Sequence, residues 1–280
     1  MEYLMTYGWA ILIIAVVLGA LFQLGIFNAS TFTPKAPPGA CHVFRPNGPM
    51  TTSFINLQGI CNGELPQYAA QFDGQYSQVR ASAITPAYVS VAVWVNIRGA
   101  GTYPRIVSNL AQTTPTWTGF EFYQGLNNYQ IGTQLNAGGT FYNVNTGTVT
   151  QNTWNFIAFT YDGSHIRTYF NGVIVSNVVA SGTIGYAATP TPTYIGDNPN
   201  MALSIHGSMA NIQIYNSSLS SNEITALYNE GIGGAPIKLN NLVGWWPLNG
   251  DVKDYSGNNN NGVASYLSFT SNWGSGYSAP

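Results

Sequence analysis

The chain has 280 residues, of which 6% are charged and 14% aromatic, whereas an ordinary globular domain carries roughly 25% charged residues. The hydrophobic fraction of 45% is enough to build a packed core, which excludes a disordered chain. The net charge is −2 and the eight cations (Lys35, Arg45, Arg80, Arg98, Arg105, Arg167, Lys238, Lys253) are scattered, so no basic stripe collects phosphates and nucleic acid is excluded as a partner.

Residues 4–27 carry no charge, and the run 10–22, Ala-Ile-Leu-Ile-Ile-Ala-Val-Val-Leu-Gly-Ala-Leu-Phe, is apolar on every face. About 20 such residues suffice to cross a bilayer. This predicts a helix over 1–27, about 40 Å long at 1.5 Å per residue, that has to be buried in lipid or in protein. The segment lacks a cationic start and a small-residue cleavage site after it, so it does not read as a cleaved secretory signal. A start at Met1-Glu2 is expected to be the mature end left when an upstream cationic leader is removed.

The string Met-Glu-Tyr-Leu-Met-Thr-Tyr-Gly-Trp-Ala-Ile-Leu-Ile-Ile over residues 1–14 resembles the mature start of archaeal class III signal-peptide proteins, the type IV pilin family. Many pilins carry the early Glu at the fifth mature position; here it is the second residue. The resemblance implies cleavage by a dedicated signal peptidase, a membrane-inserted precursor, and addition by the pilus assembly machinery to a homopolymer. Glu2, Tyr3, Tyr7, Gly8, Trp9, Ile13, Val17, Gly19 and Phe22 would then form the filament core. Small residues such as Gly8 and Gly19 let helices approach closely. A buried Glu2 needs a partner, and a neighbouring copy's terminal amine is the natural one. A plain membrane anchor is the alternative.

Residues 28–40 are rich in proline and read as an extended spacer. Asn28-Ala29-Ser30 and Asn216-Ser217-Ser218 are acceptor sequences for N-glycosylation. Cys41 and Cys61 flank the turn-rich stretch Arg45-Pro46-Asn47-Gly48-Pro49. In an exported protein they predict a disulfide closing a loop of about 20 residues, worth on the order of 3 kcal/mol; two free thiols are the alternative.

From Tyr68 onward the period is two. Residues 89–97, 154–161 and 166–170 alternate as strands, and Asp162-Gly163 and Asn171-Gly172 are hairpin turns. A short helix follows at 219–228. Ser220 and Glu223 make its capping box, Ile224, Leu227 and Tyr228 its apolar face, and Gly231 its stop. Many short strands at regular spacing indicate a sandwich or jelly roll.

Several landmarks in order resemble the laminin G-like, concanavalin A-like jelly roll: Phe72-Asp73-Gly74, Val91-Ala92-Val93-Trp94-Val95, Trp154-Asn155-Phe156, Tyr169-Phe170-Asn171-Gly172, Tyr194-Ile195-Gly196 and Ile212-Gln213-Ile214-Tyr215. Leu242-Val243-Gly244-Trp245-Trp246 resembles that family's opening strand but stands near the end of the chain. Either the domain is circularly permuted or this strand completes a neighbouring subunit. The expected fold class is therefore α+β: one long N-terminal hydrophobic helix (1–27), a linker (28–40) and an all-β laminin G-like jelly roll (41–280).

The chemistry is sparse. Glycoside hydrolysis needs two carboxylates flanking one bond, and Glu121 in Gly-Phe-Glu-Phe-Tyr stands without an acidic neighbour in sequence. His42, His165 and His206 have no metal-ligand spacing. No enzyme activity and no required cofactor are expected. The resemblance implies a calcium loop at Asp254 and Asn258, although Ala210 and Asn211 stand where the family often has acids. It also implies carbohydrate binding, for which Trp117, Tyr123, Tyr142 and Trp273 are candidate stacking residues. The reading that joins these expectations is the pilin of an extracellular, adhesive type IV pilus-like filament with surface glycans as partners. The alternative is a membrane-anchored, lectin-like carbohydrate-binding protein of the cell surface.

Overall fold

The computed structural model describes residues 13, 14, 17, 42–44, 56–58, 66, 68–113, 116–126 and 128–270. The chain divides into two units, Met1–Ala36 and Pro37–Pro280. In the first, Ile13, Ile14 and Val17 are helical with about half of each side chain exposed. The other residues expected in a filament core, Glu2, Tyr3, Tyr7, Gly8, Trp9, Gly19 and Phe22, lie outside the described residues, as do Asn28, Cys41 and Cys61.

The second unit holds strands β1 (His42–Phe44), β2 (Asn56–Gln58), β3 (Ala69–Asp73), β4 (Gln78–Ala81), β5 (Val89–Ile97), β6 (Arg105–Ser108), β7 (Ala111–Thr113), β8 (Thr116–Thr118), β9 (Phe120–Gln124) and β10 (Gln130–Ala137). It continues with β11 (Thr140–Thr148), β12 (Trp154–Tyr161), β13 (His165–Phe170), β14 (Val173–Val179), β15 (Thr193–Ile195) and β16 (His206–Tyr215). Helix α1 (Ser221–Asn229) precedes β17 (Leu242–Trp246), β18 (Val263–Ser265) and β19 (Ser268–Thr270).

The expected α+β class is overturned. The described residues of the second unit are a β-sandwich with one short α-helix, and no helix among the described residues of the chain is long and apolar enough to cross a membrane. The expectation rested on the apolar run near the N-terminus. Of that run only Ile13, Ile14 and Val17 are among the described residues; they are helical, and isolated helical positions do not make the long helix that an uncharged run suggests.

Two antiparallel sheets form the sandwich. The seven-stranded sheet has the order β11-β10-β9-β6-β15-β4-β18. The eight-stranded sheet has the order β14-β13-β12-β5-β16-β3-β19, with β17 also paired to β16. Strand alternation sorts the side chains. On β5, Val89, Val91, Val93, Val95 and Ile97 point into the core between the sheets. Ala92 and Trp94 point outward into a second apolar cluster. In the core, Phe120 and Phe122 meet Phe159 edge to face at 5.8 and 4.9 Å, the favoured geometry for aromatic pairs.

The hairpin signals hold. Asn171 and Gly172 take φ of 47° and 76°, and Gly163 takes 89°, the left-handed backbone that such tight turns require. The capping box of α1 is formed as expected, with Ser220 accepting from the Glu223 amide and Glu223 accepting from the Ser220 amide. Ile224 and Leu227 are buried, and Tyr228 stacks on Trp94 at 5.8 Å. β17 pairs with β16 of the same chain, Ile212 opposite Trp246 and Gln213 opposite Trp245. The strand resembling the family's opening strand is thus paired to β16 of its own chain.

Candidate functional site

The two sheets differ on their outer faces. Over the eight-stranded sheet, Trp94, Phe156, Tyr169 and Tyr215 are covered by Leu219, Ile224 and Leu227 of the α1 region and by Ile232, Leu242 and Trp245. That face is sealed by apolar packing. The outer face of the seven-stranded sheet carries polar and aromatic side chains instead. Phe120 and Phe122 of β9 face the core, so Glu121 and Tyr123 face outward.

Register extends this face across six strands. Arg80 is opposite Tyr194, Tyr194 opposite Ser108, Ser108 opposite Glu121, Glu121 opposite Gln134 and Gln134 opposite Asn143. At about 4.8 Å per strand the row is about 24 Å long. Arg105, Tyr123 and Gly132 form the next row, Arg105 opposite Tyr123 and Tyr123 opposite Gly132.

Glu121 sits at the centre, 1% exposed. Its Oε2 accepts from Ser108 Oγ at 2.9 Å and lies 3.2 Å from Arg105 Nε, while Oε1 has no partner. Burial pushes the Glu121 carboxyl above its ordinary value, and Arg105 and Ser108 offset only part of that. The ion pair and the upward shift pull in opposite directions, and desolvation wins because the group has almost no contact with water. Gln78, outward-facing on β4 and 4% exposed, also has a buried oxygen, Oε1, without a donor.

Arg105 is held from three sides. Besides Glu121, it donates from a terminal nitrogen to the Tyr103 carbonyl at 3.0 Å, and its guanidinium lies 5.7 Å from the Tyr123 ring centre. Tyr123 crosses Gly132 to donate from its hydroxyl to Asn143 Oδ1 at 2.9 Å. Only glycine permits this path, since a Cβ on residue 132 would stand 2.5 Å from the ring. Tyr103, exposed and with φ of 54°, lies 6.1 Å from Tyr123 centre to centre. The result is a platform of aromatic rings edged by amide, carboxyl and guanidinium groups.

The sequence profile of the concanavalin A-like lectin/glucanases superfamily matches residues 72–225, more than half the chain. The chain belongs to this superfamily. Comparison with curated proteins gives no match. Among solved structures, a Bacteroides ovatus ATCC 8483 protein to which carbohydrate binding is ascribed superposes with a TM-score of 0.57 at 16% identity. The match covers 74% of this chain and 61% of that one, so this chain spans under two thirds of its length; the likeness shows a shared fold. Weaker likenesses include the CBM40 module of a Ruminococcus gnavus sialidase bound to α2,3-sialyllactose (TM-score 0.46, 15% identity, 57% of this chain and 97% of that one). Domain 4 of a Geobacillus stearothermophilus arabinanase in complex with arabinotriose is similar at TM-score 0.44 and 18% identity, over 56% and 75% of the two chains.

Within this superfamily fold the stacking candidates separate. Tyr123 is on the outer face of the seven-stranded sheet and is 9% exposed. Trp117 is exposed on β8 at its rim, where its carbonyl accepts from Asn136 Nδ2 at 2.8 Å. Tyr142 is opposite Leu135, so it faces the core side. Trp273 lies outside the described residues. Arg105, Ser108, Gln134 and Asn143 were not singled out by sequence reasoning. They carry no motif, and only strand register brings them together.

Asp254 and Asn258 are brought into one loop. Asp254 is buried and both oxygens are taken: Oδ1 by the Trp245 and Ser256 amides at 2.9 and 2.8 Å, Oδ2 by Ser256 Oγ and the Asn260 amide at 2.9 and 2.8 Å. Asn258 donates to the Leu242 carbonyl and to Ser256 Oγ. As placed, these groups organise the loop behind β17. Asn211, where the family often has an acid, accepts from Trp245 Nε1 at 2.8 Å and Gln213 Nε2 at 3.0 Å and donates to the Gly234 carbonyl at 2.9 Å. Asn216 is exposed just after β16, its Oδ1 accepting from Asn241 at 3.1 Å. A separate cavity of about 430 Å³ is lined by the Asp162–Arg167 and Glu223–Lys238 ion pairs, whose N–O distances are 2.6 and 2.8 Å.

Proposed function

We propose that this chain is an extracellular lectin-like protein that binds carbohydrate on the outer face of its seven-stranded sheet. The observation that carries this reading is the contrast between the two outer faces. One is sealed by apolar side chains, and the other offers a row of hydrogen-bonding groups beside aromatic rings. A sugar presents hydroxyls at its edge and C–H groups on its faces, so it needs directed polar partners next to a flat apolar surface. The row from Arg80 to Asn143 supplies the first, and Tyr103, Tyr123 and Trp117 supply the second. Its length suits an oligosaccharide rather than a single ring.

Binding rather than hydrolysis is the better fit. Cleavage of a glycosidic bond uses two carboxyl groups about 5–10 Å apart. In this row, Glu121 is flanked by Ser108 and Gln134. The reading calls for no catalytic residue and no cofactor.

A glycan array probed with the full chain tests it. The expected result is selective binding that Asn143→Ala and Trp117→Ala each weaken about tenfold or more, while the distant Tyr88→Ala leaves it unchanged. No binding to any glycan, or binding indifferent to both face variants, rejects the proposal.

A second reading concerns how the domain is displayed. The pilin-like string at 1–14 and the uncharged run 10–22 favour a surface protein held through its N-terminal segment, in lipid or among copies of itself in a filament. Glycans on Asn28 and Asn216 and a disulfide between Cys41 and Cys61 belong to that reading. Electron microscopy of cell-surface material separates filaments from single anchored copies.

A further inference from the structure

The cavity of about 430 Å³ lies on the outer side of the eight-stranded sheet, at the limit of its apolar cover: Tyr169 and Leu219 belong to that cover and also line the cavity. Ile166 of β13 faces the core, so Arg167 and Tyr169 face outward. Ser221, the first residue of α1, lines the cavity as well, its Oγ 3.2 Å from Tyr169 Oη. Lys238 enters the lining from the segment before β17. In a chain with eight cations and ten acids, two of each line this one cavity. Pockets of about 300–1,000 Å³ hold small molecules.

The acids and the cations play different parts. Asp162 Oδ1 accepts from the Ser164 amide, the Ser164 hydroxyl and the His165 amide at 2.8, 2.7 and 2.7 Å, and its Oδ2 accepts from Arg167 at 2.6 Å. Glu223 Oε2 accepts from the Ser220 amide and hydroxyl at 2.8 and 2.9 Å, and its Oε1 lies 2.8 Å from Lys238 Nζ. A carboxylate has about four acceptor positions, so Asp162 is full and Glu223 nearly so. Burial alone would raise both carboxyls, but these donors outweigh it and hold both below their ordinary values. Both therefore stay anionic and pin the two cations. The cations are not used up. A guanidinium carries five N–H donors and an ammonium three. Among the described residues Arg167 pairs with Asp162 and Lys238 with Glu223, and both cations remain partly exposed.

We propose that this cavity binds a small molecule through an oxyanion group, with Arg167 and Lys238 as the charged donors and the Ser221 and Tyr169 hydroxyls beside them. The surplus of donors selects the ligand. A cationic or donor-rich molecule finds the acceptors taken, whereas an oxyanion brings acceptors for both cations. The planar fork of an arginine matches a carboxylate, sulfate or phosphate group, and a lysine adds a mobile point charge. Leu219 offers an apolar wall to the rest of the molecule. The site lies on the other sheet from the carbohydrate face and does not depend on that reading.

The test is calorimetric titration of the full chain with sodium glucuronate, sodium sulfate and sodium phosphate, each against sodium chloride at equal ionic strength. The expected result is one saturable site for at least one of the three. Binding of sulfate or phosphate assigns a free oxyanion or its ester, and binding of glucuronate alone assigns a carboxylate carried on a sugar. Arg167→Gln and Lys238→Gln should each weaken binding about tenfold or more. Lys238→Gln, at an exposed position, decides the matter if Arg167→Gln fails to fold. Lys253→Gln removes an exposed cation outside the cavity and should leave the affinity unchanged. Absence of saturable binding, unchanged affinity in Lys238→Gln, or loss of binding in Asn143→Ala on the other sheet overturns the proposal.

Discussion

Replacing Gly132 with alanine tests the platform at its tightest point. The added Cβ would stand 2.5 Å from two carbons of the Tyr123 ring and 2.6 Å from its hydroxyl oxygen, closer than side chains tolerate. The ring must tilt away, which breaks its 2.9 Å bond to Asn143 and its contact with Arg105. A lost hydrogen bond costs about 0.5–1.5 kcal/mol and a lost cation–π contact about 0.5–1. Crowding in a packed site adds about 1–3 kcal/mol, and removing a strand glycine returns about 0.5–1. The net loss is about 1–5 kcal/mol, which at about 2–4 °C per kcal/mol lowers the unfolding midpoint by roughly 2–20 °C. Tyr123→Phe keeps the ring and removes only the hydroxyl, so it should lose about 0.5–1.5 kcal/mol. Calorimetry measures both, and the glycan array should show weaker binding for Gly132→Ala than for Tyr123→Phe. If Gly132→Ala unfolds at the wild-type midpoint and binds normally, the ring does not lie as described and the face is not the site.

Glu121→Gln should alter the pH dependence of stability. A carboxyl whose folded pKa is raised holds an extra proton in the folded state, so stability falls as pH climbs from the ordinary value near 4.5 through the raised one. Denaturant melts at ~pH 4 and ~pH 8 should show wild type losing ground to the variant at the higher pH; a constant difference refutes this. Ser220→Ala removes the side-chain cap of α1 and should cost about 0.5–2 kcal/mol in the same melts, with Ser220→Asp restoring most of it. Trp246→Ala empties a fully buried site and orphans the Asn260 carbonyl, so a loss of about 3–5 kcal/mol is expected; a loss under about 1 kcal/mol would mean that β17 is not integral to the sandwich.

Strand identity was legible wherever one pattern dominated. Val89–Ile97 and Trp154–Tyr161 are strands over the residues that alternation marked, because burial on both sides leaves no competing element. The capping box at Ser220 was legible because its chemistry is local. Pairing partners were not. Glu121 reads in sequence as a lone acid between two phenylalanines. Its partners Arg105 and Ser108 lie on another strand, and the register between β6 and β9 is broken by a bulge between Arg105 and Val107. Asp254 shows the converse: a loop resembling a calcium loop places its carboxylate oxygens against four protein donors. A short motif specifies ligand types but not what else competes for them.

The Arg105–Glu121 pair carries one more consequence in a chain so poor in charge. Of the three ion pairs among the described residues, Asp162–Arg167 and Glu223–Lys238 have both side chains at 26% exposure or more, whereas Glu121 is at 1% and Arg105 at 16%. Desolvating a charged pair often costs more than its attraction returns, and apolar residues of similar size would commonly stabilise the fold more. Stability alone is thus a poor account of an acid placed at the centre of an outward sheet face with one oxygen unused. A polar ligand that donates to that face would relieve the deficit, because a preformed acceptor in a water-poor setting gains more from a hydroxyl than the same group in solvent. By that argument replacing both partners, Glu121→Leu with Arg105→Met, should match or exceed wild-type stability while losing glycan binding. Glu121→Leu alone strands the Arg105 charge and should destabilise. A purely structural role for the pair would not separate stability from binding in the double variant.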